Sequence, residues 1–273
     1  MAYSIARCRE IKERVDDIGI FETAMEYGIS AESVKRALRY LKAETSIPTP
    51  MERCKLNGGR NVLVIGDLHC PFDLNGYLDF CSDMYMKHAC DTVVFIGDLI
   101  DNHFASYHET DPNGMGADDE LQSAIFRLAP YYKAFPEAHV TIGNHDRMVF
   151  RKSMSSGVPK RWIKSYAEVL ETPNWIFTDF VDIDGVCYIH GENGTARSRS
   201  LLEMTSIVQG HLHTEMYTHW SFGKNRSVFG MQVGCGIDAQ SYAMGYCKHA
   251  KKPAIGCGIV LKGETAINEV MSL

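Results

Sequence analysis

Five short apolar runs in this chain each end abruptly in polar residues. The runs VLVIG, VVFIG, VTIG, VCYI and SIVQG are rich in β-branched residues, which predicts buried strands. Because the ends of such strands converge at one edge of an α/β sheet, we expect the side chains that follow them to gather in a single site. Those side chains are Asp67, His69, Asp98, Asn144, His145, His190, His211 and His213.

The segments between these runs predict an α/β domain over 61–273. Helical patterns near 75–89 and 118–134 alternate with the first three strands, and shorter strands follow closely in the second half. A layered α/β sandwich accounts for both halves.

Residues 1–45 predict a separate, all-helical unit. Gly28 suits a turn between helices, and Ser30 suits the cap of the next one. The stretch FETAMEYGISAESVKRALRYL resembles a helix-turn-helix, in which Val34 and Leu38 pack inward, so residues 20–42 are a candidate DNA contact. Its second helix would present basic side chains outward: Lys35, Arg36, Arg39 and Lys42.

A bundle that packs on the main domain or on another protein has the same pattern. Residues 1–45 hold eight basic and eight acidic residues and are neutral overall. The DNA-binding and the protein-interaction hypotheses both stay open. Residues 46–60, with two prolines and a glycine pair, predict a linker.

The composition argues against secretion and against a membrane partner. No run approaches the roughly 18 apolar residues of a membrane span, and the N-terminus lacks the apolar core of a signal peptide. The nine cysteines are scattered without C-x-x-C spacing, which argues against a disulfide framework. We therefore expect a cytoplasmic protein. The net charge of −6 argues against a general polyanion-binding surface.

The polar residues at the strand ends suit metal coordination. Several imidazoles, two carboxylates and an amide favour Mn, Fe or Zn over Mg. Glycine precedes most of them and lets the backbone turn tightly beside an ion; these glycines are Gly66, Gly97, Gly143 and Gly210.

The blocks GDLHC, GDLID, GNHD, HG and GHLH, in this order, resemble the five signature blocks of the calcineurin-like metallophosphoesterases. The resemblance spans about residues 61–215 and implies an αββα sandwich with two adjacent metal sites. It implies Asp67, His69 and His213 at the first site. It implies Asn144, His190 and His211 at the second, with Asp98 bridging both. The implied cofactors are two divalent transition-metal ions, Mn before Fe, Zn, Ni or Co.

The same resemblance implies the catalytic groups. A metal-bridging hydroxide would attack phosphorus in line, and His145 would protonate the leaving oxygen. Asp101 would orient His145, although it could instead be a loop-capping residue. The candidate substrate contacts, each of which could also be an ordinary surface residue, are His103, Arg147 and, in the loop after HG, Arg197 and Arg199.

Two departures bear on the substrate. Protein Ser/Thr phosphatases carry Asp-Arg-Gly and Asn-His-Glu where this chain has Asp101-Asn102-His103 and Asn144-His145-Asp146. The pattern favours a phosphodiesterase, including a DNA nuclease, and resembles phosphoesterases encoded by bacteriophages, which would place the protein in the host cytoplasm. The alternatives are a phosphomonoesterase acting on nucleotides, small molecules or phosphoproteins, and a non-catalytic DNA-binding regulator.

Overall fold

The chain divides into two compact units, Met1–Arg53 and Cys54–Leu273. A computed structural model describes residues 5–35, 37–38, 58–106, 114–241 and 252–272. The predicted linker 46–60 lies outside the described residues up to residue 57.

The smaller unit is helical, as the sequence predicts. Helix α1 spans Ile5–Ile18 and α2 spans Ile20–Glu26, and residues 31–35 and 37–38 are also helical. The predicted turn and cap are confirmed, because Gly28 has a φ of 62° and the Ser30 hydroxyl accepts the Ser33 N–H at 3.1 Å. The unit's core contains Ile11, Ala24, Val34 and Ala37.

The outer surface of this unit is partly apolar. Phe21 and Met25, one turn apart on α2, are 70% and 77% exposed, and Lys35 is also exposed. The side chains of Arg36, Arg39 and Lys42, on which the predicted basic face depends, lie outside the described residues.

The larger unit is built from two sheets and the helices that cover them. In chain order its strands are β1 Asn61–Ile65, β2 Thr92–Phe95, β3 Ala138–Thr141, β4 Trp175–Thr178, β5 Phe180–Ile183, β6 Val186–Ile189, β7 Ser206–Gln209, β8 Tyr217–Phe222, β9 Ser227–Gln232, β10 Gly256–Leu261 and β11 Thr265–Val270. Its helices are α3 Tyr77–Lys87, α4 Ala117–Ala134, α5 Met148–Ser155, α6 Tyr166–Val169 and α7 Ala196–Glu203, with short 3₁₀ turns at His103–Ala105 and Lys160–Trp162.

The strands that matter for the site run parallel. The first sheet has the order β11-β10-β1-β2-β3-β4, with β1 to β4 parallel, and the second has the order β5-β6-β7-β9-β8, with β6, β7 and β9 parallel. The remaining strands pair antiparallel at the sheet edges.

The core follows the alternation of side chains along each strand. Val64 of β1 packs between the two sheets with Tyr188 of β6. Its neighbour Ile65 points the other way, into a cluster with Leu128 of α4. Helix α7 packs on β7 and β9, so the layers run helix, sheet, sheet, helix. The predicted αββα sandwich is confirmed.

Some local details differ from the sequence prediction. The run IFTDFV, residues 176–181, has the pattern of one of the shorter strands expected in the second half. It is divided between two strands, because the chain leaves the first sheet after Thr178 and enters the second at Phe180. Strands β8 and β11 and helices α5, α6 and α7 were not expected. In the described residues, no helix is long and apolar enough to cross a bilayer.

Candidate metal centre

The polar residues predicted to gather lie together at one edge of both sheets. Ile65 of β1 pairs with Phe95 of β2, so Asp67 and Asp98 leave the first sheet side by side. Ile189 of β6 pairs with Gln209 of β7 in the second sheet. His190 and His211, which follow those residues, therefore emerge together as well. Parallel pairing thus aligns strand ends that are far apart in sequence.

One group of four side chains converges around Asp67. The ligand atoms of Asp67, His69, Asp98 and His213 all lie within 4.8 Å of one another. The Nε2 atom of His213 is 3.1 Å from Oδ2 of Asp67 and 3.2 Å from Nε2 of His69. Carboxylate oxygens and imidazole nitrogens at this spacing can hold a divalent cation.

A second group adjoins the first and shares Asp98 with it. The ligand atoms of Asp98, His190 and His211 lie within 4.8 Å of one another. The Asn144 amide oxygen is 3.0 Å from Nε2 of His190. Oδ2 of Asp98 is 3.2 Å from Nε2 of His190 and 3.5 Å from Nε2 of His69. One carboxylate is therefore common to the two groups.

The glycines before these residues make room for them. A Cβ on Gly143 would collide with the Asp98 carboxylate, and a Cβ on Gly97 would lie 2.7 Å from Nδ1 of His190. Gly97 also has a φ of 98°, a conformation that favours glycine. Glycine at these two positions therefore lets neighbouring side chains approach closely, which is a second reason for glycine beside the predicted backbone turn.

Hydrogen bonds behind the cluster fix which ring nitrogen faces it. Nδ1 of His190 donates to the Ile96 carbonyl at 2.9 Å, which leaves Nε2 as the atom available to an ion. Oδ2 of Asp67 accepts the His211 N–H at 2.8 Å. Its buried Oδ1 has no hydrogen-bond partner in the part of the chain that the structure describes. A buried carboxylate oxygen without a partner is costly, and a cation would satisfy it.

The electrostatics also favour a cation. Burial raises the pKa of Asp98, but the imidazoles of His190, His145 and His69 outweigh it and hold that pKa well below its ordinary value. Burial lowers the pKa of His190, but Asp98 and Asp67 outweigh it and raise that pKa to about 10. The carboxylates therefore attract positive charge strongly at this point.

His145 and Asp101 lie beside the shared carboxylate. The His145 N–H donates to Oδ1 of Asp98 at 2.8 Å, and its ring Nδ1 donates to the Asp101 carbonyl at 2.6 Å. The Asp101 carboxylate is 2.6 Å from Nδ1 of His69 and 3.3 Å from Nδ1 of His145. Asp101 thus contacts both imidazoles. Burial lowers the pKa of His145, but Asp101 and Asp98 raise it to about 9.

The predicted substrate contacts differ in their surroundings. His103 lies at the edge of the cluster, its Nδ1 3.7 Å from the Asp101 carboxylate. Arg147 forms ion pairs with Asp179, at 2.9 Å, and with Glu192.

The predicted loop position of Arg197 and Arg199 is wrong, because the chain after Thr195 is helical. Both residues lie on α7, which the Thr195 hydroxyl caps. Arg197 is exposed, and Arg199 lies 3.5 Å from Glu203 of the same helix.

Asp146 has a structural role that was not predicted from the sequence. Its buried carboxylate accepts the backbone N–H groups of Gly143 at 2.8 Å, Asp98 at 2.9 Å and Leu99 at 3.0 Å. It therefore ties the loop after β2 to the loop after β3. Asn102 adds a second tie by donating to the His145 carbonyl at 2.9 Å. The sequence feature that could have indicated this role is the position of Asp146 at the end of the GNHD block.

An αββα sandwich with carboxylates and imidazoles clustered at its strand ends defines a class of metal-dependent hydrolases. The family model of the calcineurin-like phosphoesterases matches residues 60–239, more than half of the chain. The chain belongs to this family. Family and cluster together indicate a phosphoesterase with a binuclear divalent metal site.

The solved structures to which this chain is similar share little sequence with it. Vacuolar protein sorting 29 from Cryptosporidium parvum is 13% identical over 77% of this chain and 86% of its own, with a TM-score of 0.39. The phosphoesterase YfcE from E. coli is 13% identical over 77% and 98%, with a TM-score of 0.37. The nuclease MPE from Pseudomonas putida is 12% identical over 74% and 84%, with a TM-score of 0.35. No functionally curated protein matches the chain.

Proposed function

We propose that the chain is a two-metal phosphodiesterase. Asp67, His69 and His213 hold one cation, and Asn144, His190 and His211 hold the other. The observation that carries the proposal is the position of Asp98, whose Oδ2 lies within 3.5 Å of an imidazole nitrogen in each group. Mn is the expected metal, since the mixture of nitrogen and oxygen ligands suits borderline transition metals.

The chemistry divides between the cations and the protein. Two bound cations supply Lewis acidity to the phosphoryl group and make water nucleophilic near neutral pH. His145 supplies the proton for the leaving oxygen. Its Nδ1 is engaged by the Asp101 carbonyl, so Nε2 is the atom that gives the proton. Cations nearby would lower its pKa from about 9 towards neutrality, where a proton donor is most effective.

The charges around the cluster favour a diester over a monoester. A monoester at neutral pH carries about two negative charges and is best held by free arginine side chains. Arg147, next to the GNHD block, is already paired with two carboxylates. At position 102, where the protein phosphatases have arginine, Asn102 holds the His145 carbonyl instead. A diester, with one negative charge, suits this site better.

Hydrolysis of two matched substrates tests the proposal. The protein is stripped with EDTA and reloaded with Mn, Ni, Co or Zn. We expect bis-p-nitrophenyl phosphate to be hydrolysed at least tenfold faster than p-nitrophenyl phosphate under the best metal. The reverse order would assign a phosphomonoesterase, and the absence of turnover with every metal would assign a non-catalytic role.

The helical unit and the cellular location stay predictions. The exposed pair Phe21 and Met25 supports a protein-interaction role for this unit, because an exposed apolar patch is typical of a protein contact. DNA binding through residues 20–42 predicts that Lys35→Gln with Arg39→Gln weakens binding to duplex DNA. Unchanged DNA binding by that variant would exclude it. The expected location remains the cytoplasm.

A further inference from the structure

The stretch that follows the GNHD block is unusually basic for this chain. Residues 147–167 contain six of the chain's 28 Lys and Arg residues and none of its 34 Asp and Glu residues. Its net charge is thus opposite in sign to that of the whole molecule. The six are Arg147, Arg151, Lys152, Lys160, Arg161 and Lys164.

The cations beyond Arg147 face solvent. Lys152, Lys160, Arg161 and Lys164 are all exposed. In the part of the chain that the structure describes, no carboxylate lies within ion-pair distance of Lys152, Lys160 or Arg161. We call the surface formed by α5 and the turn Lys160–Trp162, residues 148–164, the basic surface.

An exposed aromatic ring shares the turn Lys160–Trp162 with two of these cations. Trp162 is 79% exposed, whereas Trp175 is buried in the core. A large exposed indole with basic neighbours is a suitable platform for a nucleic-acid base, because the ring stacks on the base while the cations contact phosphates.

The basic surface is firmly attached to the sandwich. The ring of Phe150 on α5 contacts that of Tyr166 at 4.9 Å, and Tyr166 stacks on Phe177 of β4 at 5.4 Å. Glu168, the first acidic residue after the stretch, caps α6 by accepting from Ser165. Ring contacts therefore connect the surface to β4, and the first carboxylate that follows it in the chain is engaged in a helix cap.

Its position links it to the metal centre. Helix α5 begins at Met148, three residues after His145. Its eight residues span about 12 Å, so the basic surface begins beside the GNHD block and is long enough to contact a few nucleotides. A strand lying on the basic surface can therefore reach the ligand groups.

We propose that the basic surface binds single-stranded nucleic acid and leads it to the metal centre. Lys160 and Arg161 contact the phosphates, and a base stacks on Trp162. The inference rests on the proposed phosphodiesterase function and names its substrate class. A single strand is favoured over a duplex, whose bases are already stacked and leave the indole without a partner. The net charge of −6 does not oppose such binding, because a local surface potential governs it.

Binding by the full-length protein in EDTA tests the surface separately from catalysis. The probe is fluorescein-labelled dT20, followed by anisotropy between 50 and 200 mM NaCl. We expect Lys160→Gln with Arg161→Gln to weaken binding about tenfold and to flatten the log–log salt dependence by about 1.4. Trp162→Ala should weaken binding about tenfold with an unchanged salt dependence.

The hairpin between β8 and β9 offers matched controls. Lys224→Gln with Arg226→Gln removes the same two charges from another exposed site, and Phe222→Ala removes a ring that is 79% exposed. Both should bind dT20 as the wild type does. All variants should hydrolyse bis-p-nitrophenyl phosphate at the wild-type rate, because these residues lie outside the metal ligands.

Several results would overturn the inference. They are wild-type binding by Lys160→Gln with Arg161→Gln, no effect of Trp162→Ala, tighter binding of a duplex than of dT20, and binding of phosphatidylserine vesicles but not of dT20. In each case hydrolysis of bis-p-nitrophenyl phosphate would leave the proposed function standing. Conversely, if the wild-type protein binds dT20 but does not hydrolyse bis-p-nitrophenyl phosphate with any metal, only the proposed function fails.

Discussion

Asp101 holds His145 and His69 through different atoms. Its carbonyl accepts from His145, and its carboxylate lies closest to His69. His145 itself lies outside the seven proposed ligands. The chemistry expected of His145 can therefore be separated from metal binding.

His145→Ala should keep both metals and lose rate by about 10²–10⁴-fold, the usual contribution of a general acid. Metal content by mass spectrometry and turnover of a diester would be measured together. Asp98→Asn is the comparison, and it should lose metal and activity at once. Full activity in His145→Ala would remove this residue from the mechanism.

Asp146 is the residue whose importance depends most on tertiary contacts. Its carboxylate accepts N–H groups from both sides of the cluster. Asp146→Ala would leave those buried donors unpaired, so we expect a loss of about 2–3 kcal/mol in the free energy of unfolding, with weaker metal binding. Denaturant unfolding measures the first and metal titration the second.

Asp179→Ala is the control for that substitution, since Asp179 is an exposed partner of Arg147. It should change stability by about 0.5 kcal/mol or less. Equal effects of the two substitutions would show that Asp146 does not tie the loops together.

At the scale of elements, helix α3 is tied to strand β11 by one carboxylate. Glu269 lies 2.7 Å from the Lys87 ammonium and 2.7 Å from Nε2 of His88. The hydrogen bond from Lys87 is the main cause that lowers the pKa of Glu269 below its ordinary 4.5. The ionised form is therefore favoured in the folded state.

Glu269→Gln should lower the free energy of unfolding by about 0.5–1 kcal/mol at pH 7. A depressed carboxyl pKa stabilises the fold above the unfolded value of 4.5, and that contribution disappears as pH falls through the lower folded value. Urea unfolding from pH 7 to pH 3 should show the wild type and the variant converging as the pH falls below 4.5. A constant difference across this range would mean that the effect is one of packing.

Strands β4 and β5 show that the residues of a strand do not determine which other strand it pairs with. The run IFTDFV has one uninterrupted strand pattern, yet β4 pairs with β3 and β5 pairs with β6. The side chains of a strand specify its buried face, whereas its partner depends on the strands brought to its edge. A break between sheets is therefore invisible in the local pattern.

At the scale of the whole molecule, the proposed metal centre would join the two sheets. The proposed ligands follow β1, β2 and β3 of one sheet and β6 and β7 of the other. Cations that bind only the folded arrangement should stabilise it, by about 2.7 kcal/mol for one site at a hundredfold excess over the dissociation constant.

EDTA should therefore lower the thermal midpoint by several degrees, since about 1 kcal/mol corresponds to roughly 2–4 °C for a domain of this size. Scanning calorimetry with and without EDTA measures this shift. The thermal midpoint of Asp98→Asn should change little with EDTA. A wild-type midpoint that does not change with EDTA would contradict a metal site that spans both sheets.

The sequence by itself determined the layered fold and the residues that would lie near one another. Strand periodicity and the polar residue at each strand end are local signals, and parallel strands bring such ends to one edge. Gly28 and Ser30 likewise marked a helix boundary that the structure confirms.

Only the tertiary structure decided which groups pair within that neighbourhood. The ties from Asp146 to Asp98, from Asp101 to His69 and from Arg147 to Glu192 join residues 32 to 48 positions apart. Such pairs depend on how loops from different strands are placed in space. The basic stretch of residues 147–167 was present in the sequence, but its exposure and its aromatic anchor on β4 are properties of the folded chain, because both depend on which faces the sandwich covers.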